Sequence, residues 1–257
     1  MVHVAALPGT PCNKLSISEI VAKALSDARL LNEGGVDAIM IENMHDRPYL
    51  NRKVGPEIIA GMTAVACALK QELTVPLGIQ ILAGANKAAL AVALAAGFNF
   101  IRAEGFVFGH LADEGIMNSD AGELLRYQKQ IGAEHIQVYT DIKKKHSSHA
   151  ISADVSIAET AKAAEFFLAD GVIVTGSSTA QEASLEELNQ VAGAVKMPVL
   201  IGSGITIENI SNYWDIADGF IVGSSLKYGG NWENDVDPER VKAFMRVVHD
   251  LRKSKKY

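Results

Sequence analysis

Polar side chains stand where short apolar runs end: Glu42, Gln80, Arg102, Glu104, Asp141, Lys143 and Thr175. Within Gln137–Lys143, strand alternation puts Val138, Thr140 and Ile142 on one face and Gln137, Tyr139, Asp141 and Lys143 on the other. If outer faces meet helices, the polar set points inward. The same reasoning turns Glu42, Gln80, Arg102, Glu104 and Thr175 inward, with His3 lower down. Asp141 or Glu42 would serve as general base, and Arg102 or Lys143 would hold an enolate or oxyanion. A Schiff-base role for Lys143 would need a depressed pKa. The bland alternative is structural pairing, for example Arg102 with Glu104 or Glu42. Glu42, Glu104 and Asp141 are also oxygen ligands of the kind a divalent ion takes, although no tight ligand spacing supports a metal.

A second signal sits near the C-terminus. "LIGSGIT" and "IVGSSLK" each follow an apolar run with residues that bare the backbone. Gly202, Ser203 and Gly204, with Gly223, Ser224 and Ser225, would bring N–H groups close to an anion. The loops after strands seven and eight are the usual phosphate position in a (β/α)₈ barrel. Tight turns alone would also explain the glycines. His146 and His149 lie in "KKKHSSH", where His146 is a pocket candidate and a solvated loop histidine is the plainer reading. His45 and Asp46 carry the same ambiguity. Phe106, Phe108 and His110 form either a lid or a cover over the barrel top. Cys67 reads as core, and Trp214 and Trp232 as packing around the last strand.

These residues need eight β/α units to position them. Strands are expected at Val2–Leu7, Val36–Glu42, Pro76–Leu82, Phe98–Glu104, Gln137–Lys143, Val172–Thr175, Val199–Ile201 and Phe220–Val222. Helices are expected at Ser16–Glu33, Pro56–Leu73, Asn86–Ala96, Asp120–Ile131, Ser156–Ala169, Ser184–Val195 and Ile207–Tyr213. A last helix opens at Asp237-Pro238. Ser16, Ser156 and Ser184 each precede a glutamate by three residues, the spacing of a capping box. "GGVDAIMIE", "AGFNFIRAE", "ADGVIVTG" and "ADGFIVGS" repeat a helix end, a glycine and a strand. The chain is thus expected to be one TIM-barrel domain over residues 1–257, with an open doubly wound sheet as runner-up. Long strand-to-helix loops (Leu7 to Leu15, Asn43 to Gly55, Gly105 to Ser119, Lys144 to Val155) mark the functional face.

Composition narrows the classes. With 257 residues and 48% hydrophobic content the chain can fill a core. A net charge of −6 argues against nucleic acid or an anionic membrane as partner. No apolar run reaches the roughly 18 residues of a membrane span. Two cysteines and no signal peptide fit a reducing compartment, cytoplasm or organelle matrix, rather than secretion. The basic tail from Arg252 suits a helix C-terminus. No Walker or Rossmann pattern is present, and no cofactor is identified. Barrels often associate, so a homo-oligomer is allowed.

Several stretches resemble the BtpA/SgcQ family in the same order: "VHVAALPGTP", "GGVDAIMIEN", "ELLRYQKQIGA", "DIKKKHSSHAI", "DGVIVTGSSTA", "PVLIGSGITIENI" and "ADGFIVGSSLKYGGNWENDVDPERVKAFM". The resemblance covers nearly the whole chain and implies a ribulose-phosphate-binding type of barrel with a phosphorylated small-molecule ligand. It supplies no catalytic residue list. "ILAGANKAA" and "RAEG" depart from the family pattern, so it gives no role to Glu104. Three readings follow. One is an isomerase, epimerase or lyase acting on a phosphorylated sugar or related ester. Another is an assembly or regulatory factor, since the family's namesake is linked to photosystem I biogenesis. The third is a metal-dependent phosphosugar or nucleotide hydrolase.

Overall fold

The computed structural model describes residues 1–144, 146–176 and 183–254. Lys145, Lys255, Lys256 and the 177–180 part of the "DGVIVTGSSTA" motif lie outside them. Eight parallel strands form one curled sheet: β1 (Val2–His3), β2 (Ile39–Glu42), β3 (Leu77–Gln80), β4 (Phe100–Ala103), β7 (Gln137–Ile142), β9 (Gly171–Thr175), β10 (Val199–Gly202) and β11 (Gly219–Ile221). Each bonds to the next in chain order. Met1 N donates to Val222 O at 2.8 Å, bridging the first and last strands. Helices alternate with the strands: α1 (Ile17–Glu33), α2 (Pro56–Glu72), α3 (Asn86–Ala96), α4 (Ala121–Gln130), α5 (Ile157–Phe166), α6 (Leu185–Ala192), α7 (Ile210–Tyr213) and α8 (Pro238–Ser254). The chain is a (β/α)₈ barrel.

Local chemistry accounts for the boundaries. At α1 and α5, Ser16 and Ser156 accept from the third helical N–H while Glu19 and Glu159 reach back to the serine N–H. Ser184 Oγ accepts from Glu187 N at α6. Asp237 Oδ1 accepts from Glu239 N at 3.0 Å, and Pro238 sets the first turn of α8. Gly97 ends α3 at φ 70°, where a side chain would be strained. Outward strand residues such as Ile41, Ile79, Ile101, Val138, Val174 and Ile201 are buried against the helices.

Two expectations change. The first strand stops at His3, because the chain leaves the sheet after Val4 N donates to Glu42 O. The long loops carry a small antiparallel sheet of β5 (His110–Ala112), β6 (Gly115–Met117) and β8 (Ser147–Ser148). Such short strands have no periodicity to read.

Beneath the polar layer, aromatics pack over glycines. Phe100 and Tyr139 meet edge to face at 5.8 Å. Phe100 covers Gly78, where a methyl group would stand 2.0 Å from the ring, and Tyr139 covers Gly171, where it would stand 2.6 Å away. Gly78→Ala is expected to cost about 1–3 kcal/mol by overpacking. Adding Phe100→Leu should return part of that loss. Urea unfolding of the two single variants and the double variant measures the coupling.

Candidate active site

The strand C-termini open into a cavity of about 410 Å³. His3, Glu42, Gln80, Arg102, Glu104, Asp141, His146 and Thr175 line it, and so do Ser203, Gly204, Gly223, Ser224 and Ser225. Two expected members do not. Lys143 adopts φ 46°, which breaks the strand alternation just after Ile142; its Nζ turns to Ser152 O at 3.4 Å. Lys144 occupies the cavity wall in its stead. Gly202 lies beneath, where a methyl group would meet Ile173 at 2.8 Å and the Arg102 guanidinium at 3.4 Å. Its bareness makes room chiefly for Ile173.

The floor is built on two ion pairs. Arg102 forks onto Asp141, Nε to Oδ2 at 3.0 Å and Nη2 to Oδ1 at 2.9 Å. The Asp141 side chain is 0% exposed. Burial pushes its carboxyl up, and the guanidinium opposes that push. Burial works against the Arg102 charge too, but Asp141, Glu42 and Glu104 outweigh it and hold the guanidinium above its ordinary value. The fork makes Asp141 the orienting partner of Arg102. Lys144 Nζ meets Glu104 Oε2 at 3.2 Å, and Asn86 fixes the Glu104 backbone through its N–H and C=O. Among the described residues no group of three or more His, Cys, Asp or Glu is placed to hold a metal ion.

His3 is neutral. Burial lowers its pKa well below the ordinary value, and the Lys227 ammonium adds to that. Its Nδ1 lies 2.9 Å from Trp232 O, a carbonyl that can only accept. Nδ1 therefore carries the proton, leaving Nε2 as a lone pair beside Gly223, where a methyl group would stand 3.4 Å away. Lys227 is itself buried and depressed by that burial; Nζ donates to Asn234 O at 3.0 Å and faces Asp27 at 3.8 Å.

The two glycine–serine loops meet on one wall. Ser203 and Gly204 both take left-handed backbone, at φ 80° and 73°. Asn209 accepts from Thr206 N and donates to Gly204 O, each at 2.8 Å. Ser225 Oγ donates to Ile205 O at 2.8 Å, stitching the loops together. Arg240, in the first turn of α8, donates from Nε to Ser225 O at 2.8 Å and lines the cavity.

The rim differs from a phenylalanine lid. Phe106 is fully buried in the core and Phe108 is 39% exposed; neither lines the cavity. Asp113 and Glu114, at the turn between β5 and β6, do. Trp232 lines the opposite side, with Arg47 over its ring at 4.9 Å and His45 at 5.1 Å. Asp46 is buried and structural, accepting from Leu7 N and from the Asn43 amide. Arg52 ties the loops, donating to Gly84 O, Gly105 O, Asn118 O and Asp120. His149 Nε2 lies 3.0 Å from Lys144 O, beside His110. Lys144, Arg240 and Trp232 were missed because each reaches the cavity through a tertiary contact. The basic run 143–145 was the only sequence hint of Lys144.

A barrel of this kind has solved counterparts. Phosphoribosyl anthranilate isomerase from Thermus thermophilus aligns with TM-score 0.59 at 15% identity, covering 89% of this chain and 95% of its own. The chain belongs to the BtpA family, which matches residues 1–250. It is 50% identical to a mitochondrial protein of Caenorhabditis elegans, over 98% of this chain and 93% of the relative. It is 34% identical to the photosystem I biogenesis protein BtpA of Synechocystis, over 99% and 88% respectively. Among the described residues no helix is long and apolar enough to cross a membrane.

The buried histidines make stability pH-dependent. Burial, then Lys144, lowers His110 to about 4. An unfolded histidine titrates near about 6.5. The folded state thus binds fewer protons between those values, so this contribution is complete above the unfolded pKa and is lost as pH falls toward the folded one. Asp120, raised by burial to about 6 against the pull of Arg52, works in the opposite direction. The difference between the wild type and His110→Phe isolates the histidine. Urea unfolding from pH 7.5 to 4 should show the wild type losing stability relative to the variant as pH drops. Parallel curves would refute the assignment.

Proposed function

We propose that this chain is a single-domain barrel enzyme acting on a phosphorylated sugar or related small phosphate ester, by isomerisation, epimerisation or carbon–carbon cleavage. The observation that carries the reading is that one cavity joins the two bare-backbone loops to a floor of Arg102, Lys144 and three carboxylates. A phosphate sits against Ser203, Gly204, Gly223 and Ser224, with Arg240 supplying positive charge beside them. Glu42 or the His3 Nε2 lone pair takes a proton from the carbon next to a carbonyl. Arg102 and Lys144 stabilise the resulting enolate oxygen, and the proton returns to a neighbouring carbon or oxygen. Asp141 holds Arg102 in place. The step needs no electron carrier. The name of the Thermus counterpart, an isomerase of a phosphoribosyl compound, is compatible with this chemistry. Two free cysteines and the mitochondrial relative support a reducing compartment such as an organelle matrix.

A second reading, a non-catalytic assembly factor, is favoured by the name of the Synechocystis relative. Glu42→Gln separates the two. An enzyme of this design loses about 10²–10⁴ in turnover while remaining folded, whereas a scaffold keeps its function. Turnover that persists in a chelator excludes the metal-dependent hydrolase.

Gly204→Asp places a charge and a side chain on the wall where the loops meet. It is expected to abolish the thermal shift produced by phosphate esters, which for the wild type amounts to about 2.7 kcal/mol at a hundredfold excess of ligand over Kd. An undiminished shift in the variant would remove the phosphate site.

A further inference from the structure

Two polar atoms at the cavity floor have no partner. Gln80 Oε1, at the end of β3, and Thr175 Oγ1, at the end of β9, are sequestered from solvent and meet no hydrogen-bond partner among the described residues. Their residues are 2% and 7% exposed, and both line the cavity. Between their strands run β4 and β7, which carry Arg102 and Asp141. Gln80 and Thr175 therefore flank the ion-pair fork on either side.

A buried polar atom without a partner costs stability. A structural hydroxyl or amide would have found a carbonyl or an N–H; Asn43, Asn86 and the outward-facing Thr140 have each done so. Gln80 and Thr175 line an open cavity, and a turn of either side chain toward it brings the unpaired atom to a partner from outside.

The surroundings define what that partner presents. The carboxylates Glu42, Glu104 and Asp141 share the floor with the Gln80 amide oxygen. The two cations there, Arg102 and Lys144, already face carboxylates. The floor is therefore rich in acceptors and favours a ligand end that donates.

We propose that Gln80 and Thr175 read hydroxyl groups of the ligand, so that the site takes a phosphate ester with a neutral polyhydroxy end and rejects one ending in a carboxylate. This rests on the phosphate reading of the same cavity.

The test joins binding to stability. Calorimetry would compare inorganic phosphate, the polyol esters ribose 5-phosphate, ribulose 5-phosphate and fructose 6-phosphate, and the acids 6-phosphogluconate and 3-phosphoglycerate. Thr175→Val and Gln80→Met remove the polar atoms with little change of shape. At least one polyol ester should bind the wild type tenfold or more tighter than inorganic phosphate and than either acid. Each variant should lose that advantage, while its affinity for inorganic phosphate stays unchanged and its unliganded melting temperature is equal or higher. A structural role would instead lower the melting temperature. The proposal is overturned if no polyol ester outbinds inorganic phosphate, if the acids bind better, if the variants keep the polyol advantage, or if they melt earlier. Inorganic phosphate binding that survives those outcomes leaves the phosphate site standing; loss of binding to every probe removes both.

Discussion

The Arg102–Asp141 fork is the constraint on which the barrel interior depends. Two opposite charges taken out of water are tolerated only when the geometry is good and the hydrogen bonds are made. Here both bonds of the fork lie at or below 3.0 Å. Arg102 borders both the upper cavity and a lower one lined by Phe100, Tyr139, Ile173 and Leu200. The pair is thus the boundary between a chemical half and a packing half. Next to it Gly202 stays bare: a methyl group there would crowd Ile173 at 2.8 Å and touch the guanidinium at 3.4 Å. By holding Asp141, the fork engages both of its carboxylate oxygens.

Charge elsewhere around the cavity follows the same rule of enforced pairing. Lys227 is sealed beneath the loop that follows β11, held by Asp27 and Asn234 O. Its field adds to burial in keeping His3 neutral. The Trp232 carbonyl on that loop then selects the tautomer. A residue outside the cavity thereby favours the neutral form of a ring inside it.

Much of the fold was legible because it is written in local rules. Serine–glutamate pairs three apart, an aspartate–proline and recurrent glycines mark helix ends, and apolar runs mark strands. Period-two alternation placed Glu42, Gln80, Arg102, Asp141 and Thr175 in the interior correctly. It failed at Lys143, because alternation holds only while the backbone stays extended, and φ turns positive there. Nothing local could reveal Arg240, whose link to Ser225 spans 15 residues, or Trp232, 229 residues from His3. The small sheet of β5, β6 and β8 was invisible for a related reason: its strands are too short to show a pattern.

Arg52 has a consequence for how such a face can diversify. Its guanidinium holds the carbonyls of Gly105 and Asn118. Those two residues bracket the β5–β6 hairpin, whose turn residues Asp113 and Glu114 reach the cavity mouth. A segment pinned at both roots can change at its turn, beyond the pairing of β5 with β8, without moving the floor. The turn at Asp113 and Glu114 is therefore a place where the rim can change while the ion pairs below stay as they are.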